Sequence, residues 1–349
     1  MTKKILFLML LLGAFLTGCN TATTSTDDEN IITVTTTIFP LEDFTKKIGG
    51  EFVNVSSVYP AGVDAHTYEP STKTMIQIAE SDLFIHTGTG LEAFAEKAAD
   101  SLASEDVKIV EASAGISLLS SGEHKNEEHD EHTHEEDGHE DESHDTEHSH
   151  DEEEHEHEHE SDSNHEEGHE EEHNHGDLDP HVWIDPILAI QMAENIKNEL
   201  MAIMPEQKDY FQENFDQLTA DLKALDAEFQ AVVKEANHRK ILVSHGAYGY
   251  WEQRYGIEQL SVTGISPTQE PSQKQLENLI DTVQSEDIHF IIFEQNISTK
   301  ISDIIKNELY LEVLYLHNVS VLTDADIENN EDYFTLMRKN LEVLTQALQ

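Results

Sequence analysis

The stretch FQENFDQLTADLKALDAEFQAV, residues 211–232, sets Phe211, Phe215, Leu218, Leu222, Leu225, Phe229 and Val232 at alternating spacings of four and three. That spacing draws one narrow apolar stripe along a helix that Pro205 opens and that runs for roughly eight turns. A helix so long with a single stripe is either a coiled-coil strand or a spine packed across two lobes. Its flanks decide for the spine, because on both sides strand-like and helix-like segments alternate.

On the N-terminal side IITVTTTIF (31–39), FVNVSSVY (52–59), LFIHTG (83–88) and VKIVEA (107–112) read as strands. Helix-like stretches at 71–80 and 91–102 lie between them. Asp185-Pro186 is an N-cap and first-turn pair, and it opens a helix to about Ile203. On the C-terminal side KILVSH (240–245), IEQLSV (257–262), IHFIIFE (288–294) and LEVLYL (311–316) are strands separated by helices, and a last helix spans 333–348. Alternating strands and helices call for parallel sheets. The predicted fold is α/β: an N-terminal lobe over 31–204, a linking helix over 205–237 and a C-terminal lobe over 238–349.

Half of the chain's formal charge of −52 comes from residues 123–177, a tract of His, Glu, Asp, Ser and Asn with almost no apolar residue. Such a segment has nothing to bury against the entropy of ordering and is expected to be disordered. So acidic a chain repels nucleic acid, whose phosphates seek positive charge, and suits a cation. The tract contains HEEGH (165–169), HEEEH (169–173) and HEHEH (155–159). In a zinc protease that pattern needs a helix with an apolar face, which none of these has, so the matches follow from composition. Imidazoles interleaved with carboxylates instead suggest a loose collector of metal ions.

At the N-terminus Lys3 and Lys4 precede an apolar stretch from Ile5 to Leu16, which reads as a secretory signal too short for a membrane span. It ends in Leu16-Thr17-Gly18-Cys19, and Cys19 is the only cysteine. The pattern resembles the lipobox of bacterial lipoproteins. Residues 1–19 are therefore expected to be a signal peptide with Cys19 as the lipid attachment point, and 20–30 a flexible tether. This places the protein outside the cytoplasm, held to a bacterial membrane.

Seven histidines lie outside the tract: His66, His86, His181, His238, His245, His289 and His317. His66 follows the strand at 52–59 and His245 ends the strand at 240–245, and ligands collect beyond the carboxyl ends of strands in open α/β sheets. The two point to a cleft, one from each lobe. His181, in DPHVWIDP, sits just before a capped helix.

GVDAHTYEPS, DPHVWIDP, SHGAYGYWEQRYG and ISPTQEPS, together with the acidic His-rich insertion, resemble the signature stretches of the zinc- and manganese-binding receptors of bacterial ABC importers. The resemblance runs from Ile31 to the C-terminus. It implies two α/β lobes bridged by one long helix, a metal site in the interlobe cleft, and three histidine ligands at His66, His181 and His245. A fourth, acidic ligand is expected near the C-terminus, but there the chain reads LHNVSVLT (316–323), with Ser320 where the carboxylate would stand. Asp324 and Asp326 lie farther along. Glu294, at the end of a strand, or a water is expected to complete the shell. Imidazole ligands favour Zn²⁺ over Mn²⁺, which prefers more oxygen, while leaving copper and nickel open on ligand type alone.

The resulting expectation is a monomeric receptor, not an enzyme, that delivers Zn²⁺ to an ABC permease and its ATPase. Its alternatives are a metal-dependent hydrolase, or a zinc-buffering or adhesin lipoprotein. Deleting residues 123–175 is expected to leave the melting temperature of the metal-free protein nearly unchanged. The deletion should remove several weak zinc equivalents seen by calorimetry and spare one tight site. If the weak equivalents survive when the tract's histidines are replaced by glutamine, carboxylates alone bind those ions and the collector reading fails.

Overall fold

The computed structural model describes residues 31–120 and 178–349, apart from Ala103 and Ser298. The signal peptide, Cys19, the tether and the His/Glu tract lie outside the described residues. In the first lobe β1 (Ile32–Thr36), α1 (Phe39–Gly49), β2 (Val53–Ser57), α2 (Thr72–Ala79), β3 (Leu83–His86), α3 (Ala93–Leu102) and β4 (Lys108–Glu111) follow in turn. A short 3-10 turn (Val182–Ile184) leads to α4 (Pro186–Ile203) and the long α5 (Lys208–Lys234). The second lobe holds β5 (Lys240–Val243), α6 (Gly249–Tyr255), β6 (Glu258–Ser261), α7 (Gln273–Ser285), β7 (Phe290–Glu294), α8 (Lys300–Glu308), β8 (Glu312–Leu316), α9 (Asp324–Glu328) and α10 (Tyr333–Ala347).

Both sheets are four-stranded and parallel, and they share one order: β2-β1-β3-β4 and β6-β5-β7-β8. Helices cover parallel sheets, so central strands are apolar throughout rather than alternating. β3 shows this, with Leu83, Phe84, Ile85 and even His86 buried. The stretch at 31–39 is not strand to its end. The strand stops at Thr36, and Phe39 begins a helix whose first turn carries Pro40, a position where the missing N–H costs nothing.

The helix ends carry their own instructions. The Asp185 side chain accepts from the amides of Ile187 and Leu188 and so caps α4. Ser272 and Gln275 form a capping box on α7. Along α5 the predicted stripe is buried at Phe211, Phe215, Leu218, Leu222, Leu225 and Phe229. At its end Val233 is buried and Val232 only half-buried. A strict four-three alternation repeats every 3.5 residues and a helix every 3.6, so the buried face drifts by one residue along so long an element.

The largest core runs through β1, β3, α1, α4, α5 and α10. A smaller one, built from Leu242, Val262, Val283, Ile288, Ile291, Phe293 and Ile305, serves the second lobe alone. The last helix, α10, packs on α1 of the first lobe as well as on β8. The rings of Phe44 and Tyr333 meet edge to face at 5.0 Å, and Lys47 Nζ bonds Asp332 Oδ2 at 3.0 Å. Among the described residues no helix is long and apolar enough to cross a membrane.

Leu222 is fully buried at the middle of the stripe. Leu222→Ala is expected to cost about 2–5 kcal/mol of stability in denaturant unfolding, and Val232→Ala clearly less. Equal losses would show that the stripe ends at Val232 after all.

Candidate metal centre

Three loops bring three imidazoles together. His66 lies in the loop after β2, His181 immediately before the 3-10 turn, and His245 two residues beyond β5. One nitrogen from each ring lies within 4.8 Å of the others, and the ring centroids are 5.1–5.2 Å apart. No other group of three potential metal-binding side chains converges in this way among the described residues.

Each histidine is held from behind. Asp179 Oδ1 accepts from the His181 backbone N–H at 3.0 Å and faces its Nδ1 at 2.7 Å, which turns Nε2 toward the cluster. Asp179 can approach because residue 249 is glycine: a Cβ there would stand 2.5 Å from Asp179 Oδ2. The Tyr250 hydroxyl donates to the Asp179 carbonyl at 2.8 Å and accepts from the Leu119 amide at 3.2 Å. The Asp179 amide donates to the Leu119 carbonyl, so the chain ends flanking residues 120–178 are pinned together beside His181.

The sheet register supplies the partner of His245. Val243 pairs with Ile292, and two residues further on His245 stands opposite Glu294. Glu294 Oε1 meets His245 Nδ1 at 2.7 Å, and both side chains are buried. The His66 loop is fixed across the cleft: the Gly62 amide donates to the Leu322 carbonyl at 2.9 Å, and Asn296 Nδ2 to the Val63 carbonyl at 2.8 Å. Asp64 accepts from the His66 amide at 2.9 Å.

His66 Nε2 and His181 Nε2 are 3.3 Å apart. Two imidazole nitrogens bound at 2.0–2.1 Å to a tetrahedral zinc ion stand about 3.3 Å from each other, so this edge already has the spacing of a coordination shell. His245 Nε2 instead meets the Ile265 carbonyl at 3.0 Å, and binding an ion would require it to give up that bond.

The groups considered for a fourth ligand lie elsewhere. Glu294 is not among the converging atoms, because its two oxygens go to His245 and Asn318. The Ser320 hydroxyl donates to Asn318 Oδ1 at 2.7 Å. Asp326 closes the capping box that Thr323 opens on α9 and accepts from His317 Nε2, and Asp324 lies in the first turn of that helix. His86 is buried against Phe84, His317 is tied to Asp326, and His238 and His289 are exposed. None of these four joins the cluster. The sequence reading missed Asp179 and Asn318. An Asp two residues before a candidate ligand was a signal for the first, while nothing local pointed to the second.

Burial and the neighbouring rings His181 and His245 hold the His66 pKa well below the usual histidine value, so the ring is neutral and ready to bind. Burial alone would lower that of His245. The charge and hydrogen bond of Glu294, with the Ile265 carbonyl and Asp64, outweigh it and raise the value.

A parallel two-lobed fold brings His66 and His245, from loops after strands, together with His181, from the segment before α4, into a candidate metal-binding cluster. Over residues 34–347 the sequence matches the family described as zinc-uptake complex component A, periplasmic (ZnuA), and the chain belongs to that family. It is 32% identical over 344 residues to the zinc-binding protein AdcA of Streptococcus pyogenes, a match covering 99% of this chain and 61% of that protein. The chain thus spans under two thirds of that relative's length. It is 29% identical to the high-affinity zinc uptake system protein ZnuA of Bacillus subtilis, over 90% of this chain and 87% of that one. Among solved structures it resembles the Zn(II)-bound ZnuA-like domain of Streptococcus pneumoniae AdcA, with a TM-score of 0.67 and 27% identity over 91% of this chain and 99% of that domain.

His245 must lose a proton before it can take an ion. Its raised pKa means that this competition begins above the ordinary histidine value of about 6.5. Zinc affinity is therefore expected to fall by up to about tenfold per pH unit once pH drops below that raised value. His66, with its depressed pKa, adds competition only at lower pH. In the metal-free fold the two act oppositely. The His245 contribution to stability is complete below the unfolded value and is lost as pH rises through the raised one. The His66 contribution is present above the unfolded value and is lost as pH falls through the depressed one. Glu294→Gln should move the onset of proton competition to lower pH in zinc titrations. An onset unchanged by that substitution would detach Glu294 from the titration of His245.

Proposed function

We propose that the protein is an extracytoplasmic receptor that binds Zn²⁺ through His66, His181 and His245 and delivers it to the permease of an ABC importer, driven by its ATPase. The observation that carries this reading is the convergence of three imidazole nitrogens within 4.8 Å, each of two rings backed by a buried carboxylate. Nitrogen donors without a converging carboxylate suit zinc better than manganese, and a solvent molecule is the fourth ligand. Asp179 is committed to His181, and Glu294 to His245 and Asn318, so neither carboxylate is free to act as a general base on a bound water. The zinc-binding lipoprotein AdcA of Streptococcus pneumoniae is 31% identical over 347 residues. With Leu-Thr-Gly-Cys at 16–19, this supports a signal peptide cleaved before Cys19 and a lipid anchor at that residue.

Alanine at His66, His181 or His245 is expected to raise the zinc dissociation constant at least about a hundredfold, with the circular dichroism spectrum unchanged. Zinc uptake by cells should depend on both this protein and the permease. Uptake that persists without the protein would leave only buffering or adhesion as its role. Cys19→Ser should shift the protein from the membrane fraction into the medium or leave it unprocessed, and a correctly cleaved variant that still sediments with membranes would refute the anchor.

A further inference from the structure

Asn318, two residues beyond β8, is buried, and each of its polar groups serves a different neighbour. Its side-chain nitrogen donates to Glu294 Oε2. Its Oδ1 accepts from the Ser320 amide at 3.0 Å and from the Ser320 hydroxyl at 2.7 Å. Its main-chain carbonyl accepts from Trp183 Nε1 at 2.7 Å. The amide's orientation follows from these partners. A backbone N–H can only donate, so the oxygen faces Ser320 and the NH₂ group faces the carboxylate.

Both of the outward links end on a histidine. Glu294 offers its other oxygen to His245 Nδ1 at 2.7 Å. The Trp183 ring meets the His181 ring edge on, with centroids 5.3 Å apart, and the Trp183 carbonyl is fixed in turn by the Tyr333 hydroxyl at 2.7 Å. A carboxylate held at one oxygen can still rotate about its last bond; held at both, its plane is set. We propose that Asn318 is a positioning residue of the metal centre. Its side chain locks the plane of Glu294 and so the direction of His245 Nε2, while its main chain locates Trp183 beside His181. Two imidazoles from separate segments thereby keep a fixed separation.

The inference rests on the reading that the three histidines bind zinc. It also explains why the amide matters chemically. An aspartate at 318 would keep the acceptor for Ser320 but set a second carboxylate against Glu294. A hydrogen bond of reversed polarity would restore the link: in Asn318→Asp with Glu294→Gln, the glutamine nitrogen donates to the new carboxylate while its oxygen still faces His245 Nδ1.

The test uses the full chain, with zinc for affinity and Co²⁺ as a visible reporter of ligand geometry. Removing supports of metal-bound histidines typically costs about 10–100-fold in affinity, and Asn318→Asp is expected to fall in that range. Its cobalt spectrum should change, and the double variant should recover most of the loss relative to Asn318→Asp alone, a coupling read from the double-mutant cycle. A purely structural role predicts lower melting temperature, an unaltered cobalt spectrum and additive losses, and that result overturns the proposal. So would wild-type zinc affinity in Asn318→Asp. A wild-type protein with no tight zinc site would instead refute the reading of the site itself.

Discussion

A buried carboxylate behind each of two imidazoles, Asp179 behind His181 and Glu294 behind His245, is what allows three histidines to share one enclosed space. Three unsupported rings would be free to turn away from one another. A carboxylate on Nδ1 fixes the ring plane; at His181 it leaves Nε2 facing His66, while His245 Nε2 rests on the Ile265 carbonyl. Among the described residues no carboxylate backs the His66 ring, which is placed instead by its loop, through Asp64 and the two bonds that reach across to Leu322 and Asn296. The resulting centre is asymmetric, with one ring tuned toward neutrality and another toward holding a proton.

That arrangement depends on elements far apart in sequence meeting within about one side chain's length. The β5–β7 register puts Glu294 opposite His245, and the turn at Asn318 reaches both Glu294 and Trp183. Trp251 Nε1 donates to the Ile184 carbonyl, and Arg254 pairs with Asp185, the cap of α4, so α6 clamps the segment that carries His181. Behind these polar links, the α5 stripe and α10 supply a continuous apolar backing common to both lobes. Burial of that area supplies the stability, and the hydrogen bonds specify which side chains face the cleft.

The shared strand order of the two sheets has a functional corollary. In each lobe the strand order reverses between the first and third strands, which run parallel, and the carboxyl end of such a switch point is where α/β sheets commonly hold ligands. In the second lobe that position carries the His245–Glu294 pair. In the first it carries Glu92, which accepts from the Thr37 hydroxyl at 2.5 Å and the Thr87 amide at 3.0 Å. The equivalent places are thus used differently, one to hold a histidine of the cluster and the other to tie down the loop after β3.

Local sequence signals suffice for the α/β lobes, the long helix and the choice of the three histidines that converge. Strand and helix periodicities, Asp185-Pro186 and the α5 stripe are local signals, set by which residues fit each element. The sequence also carried the motifs around His66, His181 and His245, because a turn-rich loop after a strand is visible within a few residues. Two local readings moved by a few positions, at Phe39, where Pro40 turned a supposed strand end into a helix start, and at Val232, where helical drift shifted the stripe. What stands behind the clustered histidines emerges only once distant segments are packed together. Glu294 looked like a possible ligand from its place at a strand end, yet the register with β5 commits it to His245 Nδ1. Asn318, some 70 residues from His245, has no sequence pattern that marks it. Such roles arise from pairings between distant segments, and the register that sets them is fixed only when the sheets form and their buried faces close.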